Sequence, residues 1–279
     1  MIANVLTVAG LDPSGGAGVL ADVKTFSALG AYGMAVLTAV TAQNTRGVRA
    51  VSQLSPALVT TQLETLLDDV RVDAVKIGML GSADVVGAVA DVLRRHRLPY
   101  VVLDPVMVAK SGDRLLDEAA VRALRTELLP LCDLVTPHLP EAADLLGEAE
   151  ARDEAAMHDQ LDRLCALAPG VLLKGGHLDG DESTDLLAVD GNRSRLTAPR
   201  ERTKNTHGTG CTLSSAIAAL RPGSPGWPQA VAGAKAYVSE GISASDQLDV
   251  GSGHGPLHHF VQLWDSPSPA RRAPRAGCA

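Results

Sequence analysis

The strongest constraint on the fold is a recurring pattern: short apolar runs that break off into glycine, proline or an acid and then give way to helical spacing. Val5 to Ala9 ends at Gly10, and Met34 to Val40 runs into the polar stretch Thr41 to Gly47. Ala74 to Ile77 ends at Gly78-Met79-Leu80-Gly81, Tyr100 to Leu103 at Asp104-Pro105, Leu134 to Thr136 at Pro137-His138, and Val171 to Lys174 at Gly175-Gly176-His177. Runs this short read as buried strands. Between them apolar residues return at helical spacing, as in Val19, Val23 and Phe26, or in Val59, Leu63, Leu66, Leu67 and Val70 after the N-cap pair Ser55-Pro56. The same reading places helices from Ser82 to about His96, Asp117 to about Leu129, up to Leu146, Glu154 to Leu167 and Gln229 to about Ser245. Leu186 to Val189 and Ser194 to Thr197 form a hairpin pattern around Asp190-Gly191-Asn192. Strand alternating with helix gives an α/β protein with a mostly parallel central sheet.

The chain has 279 residues, 46% hydrophobic and 20% charged, with a net charge of -7. There is no broad basic field for nucleic acid or anionic lipid, and no apolar run nears the ~20 residues that span a bilayer. The first residues lack the charged region and cleavage site of a signal peptide. Cys132, Cys165, Cys211 and Cys278 show no CxxC spacing, so reduced thiols and a cytoplasmic protein are expected. No repeat or linker precedes residue 250. Residues 1–265 read as one domain, and the Pro/Arg/Ala-rich stretch 266–279 as a disordered tail.

Chemistry concentrates in Thr203 to Ser214, a small, polar, glycine-bearing stretch that runs directly into the helical pattern Leu213, Ile217, Ala218, Leu220. Glycines opening a helix present bare N–H groups at the positive end of its dipole, which makes an anion site at Gly208 to Cys211. Cys211 falls in the first turn, where a thiol's pKa tends to drop. A plain Gly/Thr cap over a buried cysteine is the alternative reading. In open α/β sheets, ligands bind beyond the carboxyl ends of the strands. Gly10 and Asp12, Gln43 and Asn44, Gly78 and Met79, Asp104, His138 and Glu141, and Lys174 all fall at such ends. Singly each could be only a turn, cap or strand terminator; their convergence is the stronger signal. Gly16-Ala17-Gly18-Val19-Leu20-Ala21 fits a dinucleotide fingerprint. However, it starts about six residues too late after its strand, and the next strand ends without an acid for a ribose, so a nicotinamide or flavin site is not expected.

The assembled motifs resemble the bacterial hydroxymethylpyrimidine/phosphomethylpyrimidine kinases, within the ribokinase-like superfamily. The resemblance rests on AGLDPSGGAGVLADVKTFSALGAYGMAVLTAVTAQNTRGV, VDAVKIGML, VVLDPVMVAKSG, LVTPHLPEAADLL, LLKGGH, TKNTHGTGCTLSSAIAA and GHGPLHHF, and covers the chain to about residue 264. It implies a three-layer αβα sandwich, usually a homodimer, that passes phosphate from Mg-ATP to 4-amino-5-hydroxymethyl-2-methylpyrimidine and then to its monophosphate. By position it implies that Gln43 hydrogen-bonds the aminopyrimidine, while Gly10, Asp22, Met79 and Val106 line its pocket. It implies Glu141 and Asp104 for Mg2+ and phosphate. Lys174, Thr206 and Thr209 would serve ATP, the Gly208 and Gly210 region the anion hole, and Cys211 would stand where sugar kinases carry an aspartate base. The family more often has Asn at the position of His138; His lacks a neutral acceptor oxygen, so Glu141 is expected to act alone. A pyridoxal kinase is the runner-up. A non-catalytic pyrimidine sensor would have lost the phosphate machinery, which is present.

Overall fold

The computed structural model describes residues 1–107, 116–176 and 178–264. Lys110-Ser111-Gly112, His177 and the expected tail from Ser266 lie outside the described residues. Strands β1 (Asn4–Leu11), β2 (Tyr32–Asn44), β3 (Gly47–Gln53), β4 (Ala74–Ile77), β5 (Val101–Leu103), β6 (Leu134–Val135), β7 (Val171–Lys174), β8 (Glu182–Val189) and β9 (Asn192–Pro199) make one sheet, ordered β3-β2-β1-β4-β5-β6-β7-β8-β9. The strands from β2 through β7 in that order pair in parallel. β3, β8 and β9 each join antiparallel to the strand before them.

Successive strand side chains point to opposite faces, and the core divides accordingly. Val5, Ala74, Val102, Leu134 and Leu172 face α1 (Gly18–Ala28), α7 (Thr209–Leu220) and α8 (Trp227–Ser243). Their neighbours Leu6, Val75, Leu103, Val135 and Leu173 face α2 (Pro56–Asp69), α3 (Ala83–His96), α4 (Glu118–Ala123), α5 (Leu139–Leu146) and α6 (Glu154–Leu164). The result is the expected αβα sandwich. The N-cap expectation at Ser55 also holds, because its Oγ accepts from Leu58 N at 3.2 Å.

Three expectations change. Thr41 to Gly47 is not a loop: β2 runs on to Asn44 and returns as β3, a strand the sequence reading did not contain. β3 is the sheet edge and largely exposed, so it carries no buried apolar run to announce it. The helix expected from Asp117 to Leu129 stops at Ala123 and continues as a π-helical turn (Leu124–Leu128) and a 3-10 turn (Leu129–Leu131) containing Pro130. α6 ends at Leu164 rather than Leu167.

The sheet order fixes where a ligand can sit. From β1 the chain moves outward to β2 and β3, then returns to place β4 on the other side of β1. Loops at that reversal diverge and open a crevice. Behind it, Asp22 of α1 and Lys76 of β4 form an ion pair at 2.8 Å with both side chains fully buried. Thr7 Oγ1 and Ser215 Oγ also donate to Asp22, at 2.6 Å and 2.7 Å. Burial opposes the Lys76 charge, but Asp22, Cys211 and Asp104 together outweigh it and hold the ammonium's pKa above its usual value. Removing one member leaves the other charge buried without its partner, which costs about 3–5 kcal/mol. Lys76→Met should therefore lower the unfolding free energy in urea by about that much. Adding Asp22→Leu should restore a large part; a double variant as unstable as the single would show that lost packing, not the stranded charge, sets the cost.

Candidate active site

The first turn of α7 is built without a protein cap. Its N-cap, Gly208, makes no side-chain capping bond and no acid lies in the first turn. By contrast α2 to α6 are each capped by a side chain: Ser55, Ser82, Asp117, His138 and Asp153. Gly208 has φ of 73°, and a Cβ there would lie 1.7 Å from Gly16 O, so both backbone conformation and packing require glycine. Thr206 O accepts from Thr209 Oγ1 at 2.8 Å and from Thr209 N at 3.4 Å, which folds Thr206 and Thr209 into the turn entering the helix. The following amides, Gly210 and Cys211, belong to the first turn, whose N–H groups have no partner within the helix.

This helix start opens into a cavity of about 710 Å³ at the carboxyl ends of the strands. Every residue expected to touch substrate, phosphate or metal lines it, except Asp22. Asp22 is fully buried and committed to Lys76, Thr7 and Ser215. Its expected place in the pocket wall is corrected, and Lys76 lines the cavity in its stead. Gly10 lets Met79 press on the backbone: a Cβ would meet Met79 Cε at 2.5 Å. Gln43 Oε1 accepts from Thr41 Oγ1 at 3.2 Å, and its Nε2 lies 3.5 Å from His207 Nε2.

Lys174 Nζ donates to Asp104 Oδ1 at 2.9 Å. A Cβ at Gly210 would lie 3.3 Å from Lys174 Nζ and 3.6 Å from Asp104 Oδ2, so the pair sits directly against the first turn of α7. Burial pushes the Asp104 carboxyl up, but Lys174 and Lys76 outweigh it and hold it below its usual range. Burial likewise opposes the Lys174 charge, and Asp104 and Glu141 raise its pKa above the ordinary value. A second pair the sequence reading missed, Lys235 and Asp185 at 2.6 Å, also lines the cavity. Arg200 donates to the carbonyls of Gly176, Gly180 and Glu182 at 2.7, 2.9 and 3.2 Å and so braces the β7–β8 loop along the same wall.

His138 Nδ1 accepts from Glu141 N at 3.1 Å, and Glu141 Oε2 accepts from His138 N at 2.9 Å. This is a capping box in which a neutral imidazole nitrogen supplies the acceptor that an Asn oxygen would give. Glu141 therefore works with His138 in shaping this end of α5.

Cys211 is half-buried, and burial pushes its thiol up to about 11. Lys76 and the Gly18 amide pull it down, while Asp104 and Asp22 push it further up. The expected acidic thiol is thus corrected: desolvation and two carboxylates outweigh the helix start. Because Gly18 opens α1, two helix starts converge on this one sulfur.

Phosphoryl transfer asks a protein for little beyond cations and amides fixed around the migrating group; a paired lysine, Lys174, against an uncapped helix start is an arrangement of that kind, on the layering of ribokinase-like kinases. The sequence profile described as phosphomethylpyrimidine kinase matches residues 12–258. The chain belongs to that family of phosphotransferases. A hydroxymethylpyrimidine/phosphomethylpyrimidine kinase of Escherichia coli (strain K12) is 55% identical over 262 residues, 94% of this chain and 98% of that protein. The crystal structure of a phosphomethylpyrimidine kinase from Clostridium difficile 630 aligns with a TM-score of 0.76 at 39% identity, covering 86% of this chain and 99% of that one. An ADP complex of Bacillus subtilis pyridoxal kinase aligns with a TM-score of 0.86 at 33% identity, covering 94% of this chain and 100% of that one.

A thiol held near 11 is protonated at neutral pH, and its thiolate fraction rises about tenfold per pH unit below that value. In a variant carrying Cys165→Ser and Cys278→Ser, iodoacetamide should modify Cys211 slowly at pH 7 and progressively faster toward pH 10. A rate that levels off below pH 8 would mean that the thiol is acidic after all.

Proposed function

We propose that this chain transfers the terminal phosphate of ATP to 4-amino-5-hydroxymethyl-2-methylpyrimidine and then to the resulting monophosphate. The observation that carries the reading is the uncapped first turn of α7 facing Lys174 and Asp104 in the same cavity as the Gln43 amide. Gln43 offers both a donor and an acceptor, which matches the edge of an aminopyrimidine. Gly10, Met79 and Val106 shape the pocket around that ring. Lys174 and the Gly208 to Cys211 amides meet the migrating phosphoryl group, and Thr206 and Thr209 hold the turn that aims those amides. Cys211 takes the proton of the hydroxymethyl group.

The carboxylates suit Mg2+. Asp104 Oδ1 is taken by Lys174 and Glu141 Oε2 by the His138 amide, while the second oxygen of each makes no hydrogen bond among the described residues. No cluster of three His, Cys, Asp or Glu side chains forms a metal cage among the described residues. Mg2+ is commonly held by one or two carboxylates together with substrate phosphates and water. When bound it supplies positive charge to the phosphates. A homodimer fits the exposed Tyr32, Val40 and Val51 on the β2–β3 side. No helix among the described residues is long and apolar enough to cross a membrane.

Pyridoxal is the second reading, favoured by the close backbone match to pyridoxal kinases. The test is an ATP-dependent assay offering each alcohol, with products separated by phosphate count. The pyrimidine should be preferred, and free monophosphate should accumulate before diphosphate because one anion site, at the start of α7, serves both transfers. Turnover of pyridoxal alone would reverse the assignment. Diphosphate formed without released monophosphate would replace sequential transfer with a processive one.

The two acceptors differ in their need for a base. A hydroxyl must lose a proton, whereas a phosphate monoester is already largely ionised at neutral pH, its second pKa being about 6. Cys211→Ala should therefore cut kcat on the alcohol by roughly 10²–10⁴-fold, while kcat on the monophosphate falls by less than about tenfold. Equal losses on both acceptors would mean that Cys211 shapes the anion site instead of taking a proton.

A further inference from the structure

Two glycine-bearing loops flank the cavity, and one imidazole joins them. Asp12 closes the loop between β1 and α1: its carboxylate accepts from Ser14 N at 2.8 Å, Ser14 Oγ at 2.9 Å and Ala17 N at 3.0 Å. The same carboxylate meets His207 Nε2 at 2.8 Å. His207 immediately precedes Gly208 and so belongs to the phosphate-side loop. Its backbone N donates to Gly255 O at 3.0 Å, which anchors the residue from behind. Both Asp12 and His207 are buried. Burial disfavours the Asp12 charge, but hydrogen bonds from His207 and Ser14 outweigh it and hold the carboxyl below its usual range.

The packing around the ring leaves no slack. A Cβ at Gly16 would lie 2.4 Å from His207 Cδ2, and a Cβ at Gly208 would lie 1.7 Å from Gly16 O. The backbones of the two loops touch at that point, and the imidazole bridges them beside it. On its cavity side, His207 Nε2 lies 3.5 Å from Gln43 Nε2. The ring therefore has a fixed relation to the residue assigned to the pyrimidine, to the β1–α1 loop and to the amides assigned to phosphate.

We propose that Asp12 and His207 form a clasp that sets the separation between the acceptor-side loop, residues 12–18, and the phosphate-side loop, residues 206–210, making His207 a positioning residue for the transfer. Apolar contact alone could hold two loops together, but a hydrogen bond to a carboxylate that is itself fixed by three donors also sets the orientation of the ring. Orientation matters here because a misplacement of about 1 Å can cost about 10²-fold in rate. The clasp rests on placing the transfer at Gly208 to Cys211.

The test uses the full chain with His207→Ala, Asp12→Asn, the two combined, and Gly16→Ala. Gly16 lies outside the left-handed region, so alanine there acts by displacing the ring and not by backbone strain. With Mg-ATP and the pyrimidine alcohol, His207→Ala and Gly16→Ala should each lower kcat by about 10–100-fold. Binding of a non-hydrolysable ATP analogue should stay within about threefold, and melting temperature should change by only a few degrees. Adding His207→Ala to Asp12→Asn should cost no more than about a further threefold, because residues acting as one unit are non-additive. Wild-type kcat in Gly16→Ala overturns the clasp, whatever His207→Ala does to folding. So does a loss confined to nucleotide affinity, or losses at Asp12 and His207 that multiply. Cys211→Ala is measured alongside: impaired turnover there with normal turnover in the clasp variants defeats the clasp alone, whereas wild-type turnover in all of them defeats the placement of the transfer itself.

Discussion

The site depends on a charge that never reaches solvent. Asp22 gathers Lys76 from β4, Thr7 from β1 and Ser215 from α7, and it belongs to α1. Four elements are thereby fixed to one carboxylate behind the crevice. Compared with an apolar cluster of the same volume, such a pair adds little stability of its own. What it adds is geometry. The two helices whose starts converge on Cys211 are tied to the same anion further along their length, so they cannot slide independently along the sheet. Lys76 at the same time places a fixed positive charge under the cavity floor.

The cavity's lysines follow one rule: each is paired before any ligand arrives. Lys76 has Asp22, Lys174 has Asp104, and Lys235 has Asp185. Unpaired buried ammonium groups would be too costly to keep charged. Pairing has a consequence for the nucleotide. A polyphosphate laid against Lys174 also meets Asp104 and, nearby, Glu141, so part of the attraction is cancelled by carboxylates. A divalent cation, if held by Asp104 and Glu141 as proposed, would supply positive charge that relieves that conflict. A role for Mg2+ in the proposed reaction would suit the way the protein keeps its own lysines charged.

How much of this was legible in the sequence varied with the kind of constraint. Layering and most strand positions were readable because strands buried on both faces need continuous apolar runs, as at Ala74–Ile77 and Val171–Lys174. The helix starts at Ser55 and Ser82 were readable because capping is local chemistry. Strand β3 was not, since an exposed edge imposes no pattern. Asp22 was misplaced because its neighbours in the sequence say nothing about Lys76 across the sheet. Lys76 itself left a signal: a lysine inside Ala74-Val75-Lys76-Ile77 can be buried only against a carboxylate. The Asp12–His207 contact joins residues from opposite ends of the chain, and only the fold reveals it.

The unexpectedly weak acid at Cys211 follows first from burial of the thiol and then from this crowding. Asp104 and Asp22 both bear on the sulfur, and Lys76 and the Gly18 amide oppose them. An aspartate at 211 would be a third permanent anion in that space, and Asp104 would have to share its lysines with it. A thiol is neutral at rest and adds no charge to compensate. Its thiolate is rare at neutral pH, but as a base of high pKa it is strong when formed. General-base efficiency depends on the product of those two quantities. Phosphoryl transfer through a loose transition state does little bond-making at the acceptor early on, so late removal of the proton by an infrequent, strong base suffices. A neutral group also favours the second proposed acceptor, since a monophosphate dianion approaching the same position meets a thiol and not another carboxylate. On the proposed assignment of Cys211 as the base, a cysteine is the residue type that would let one electrostatically balanced site receive first an alcohol and then a phosphate.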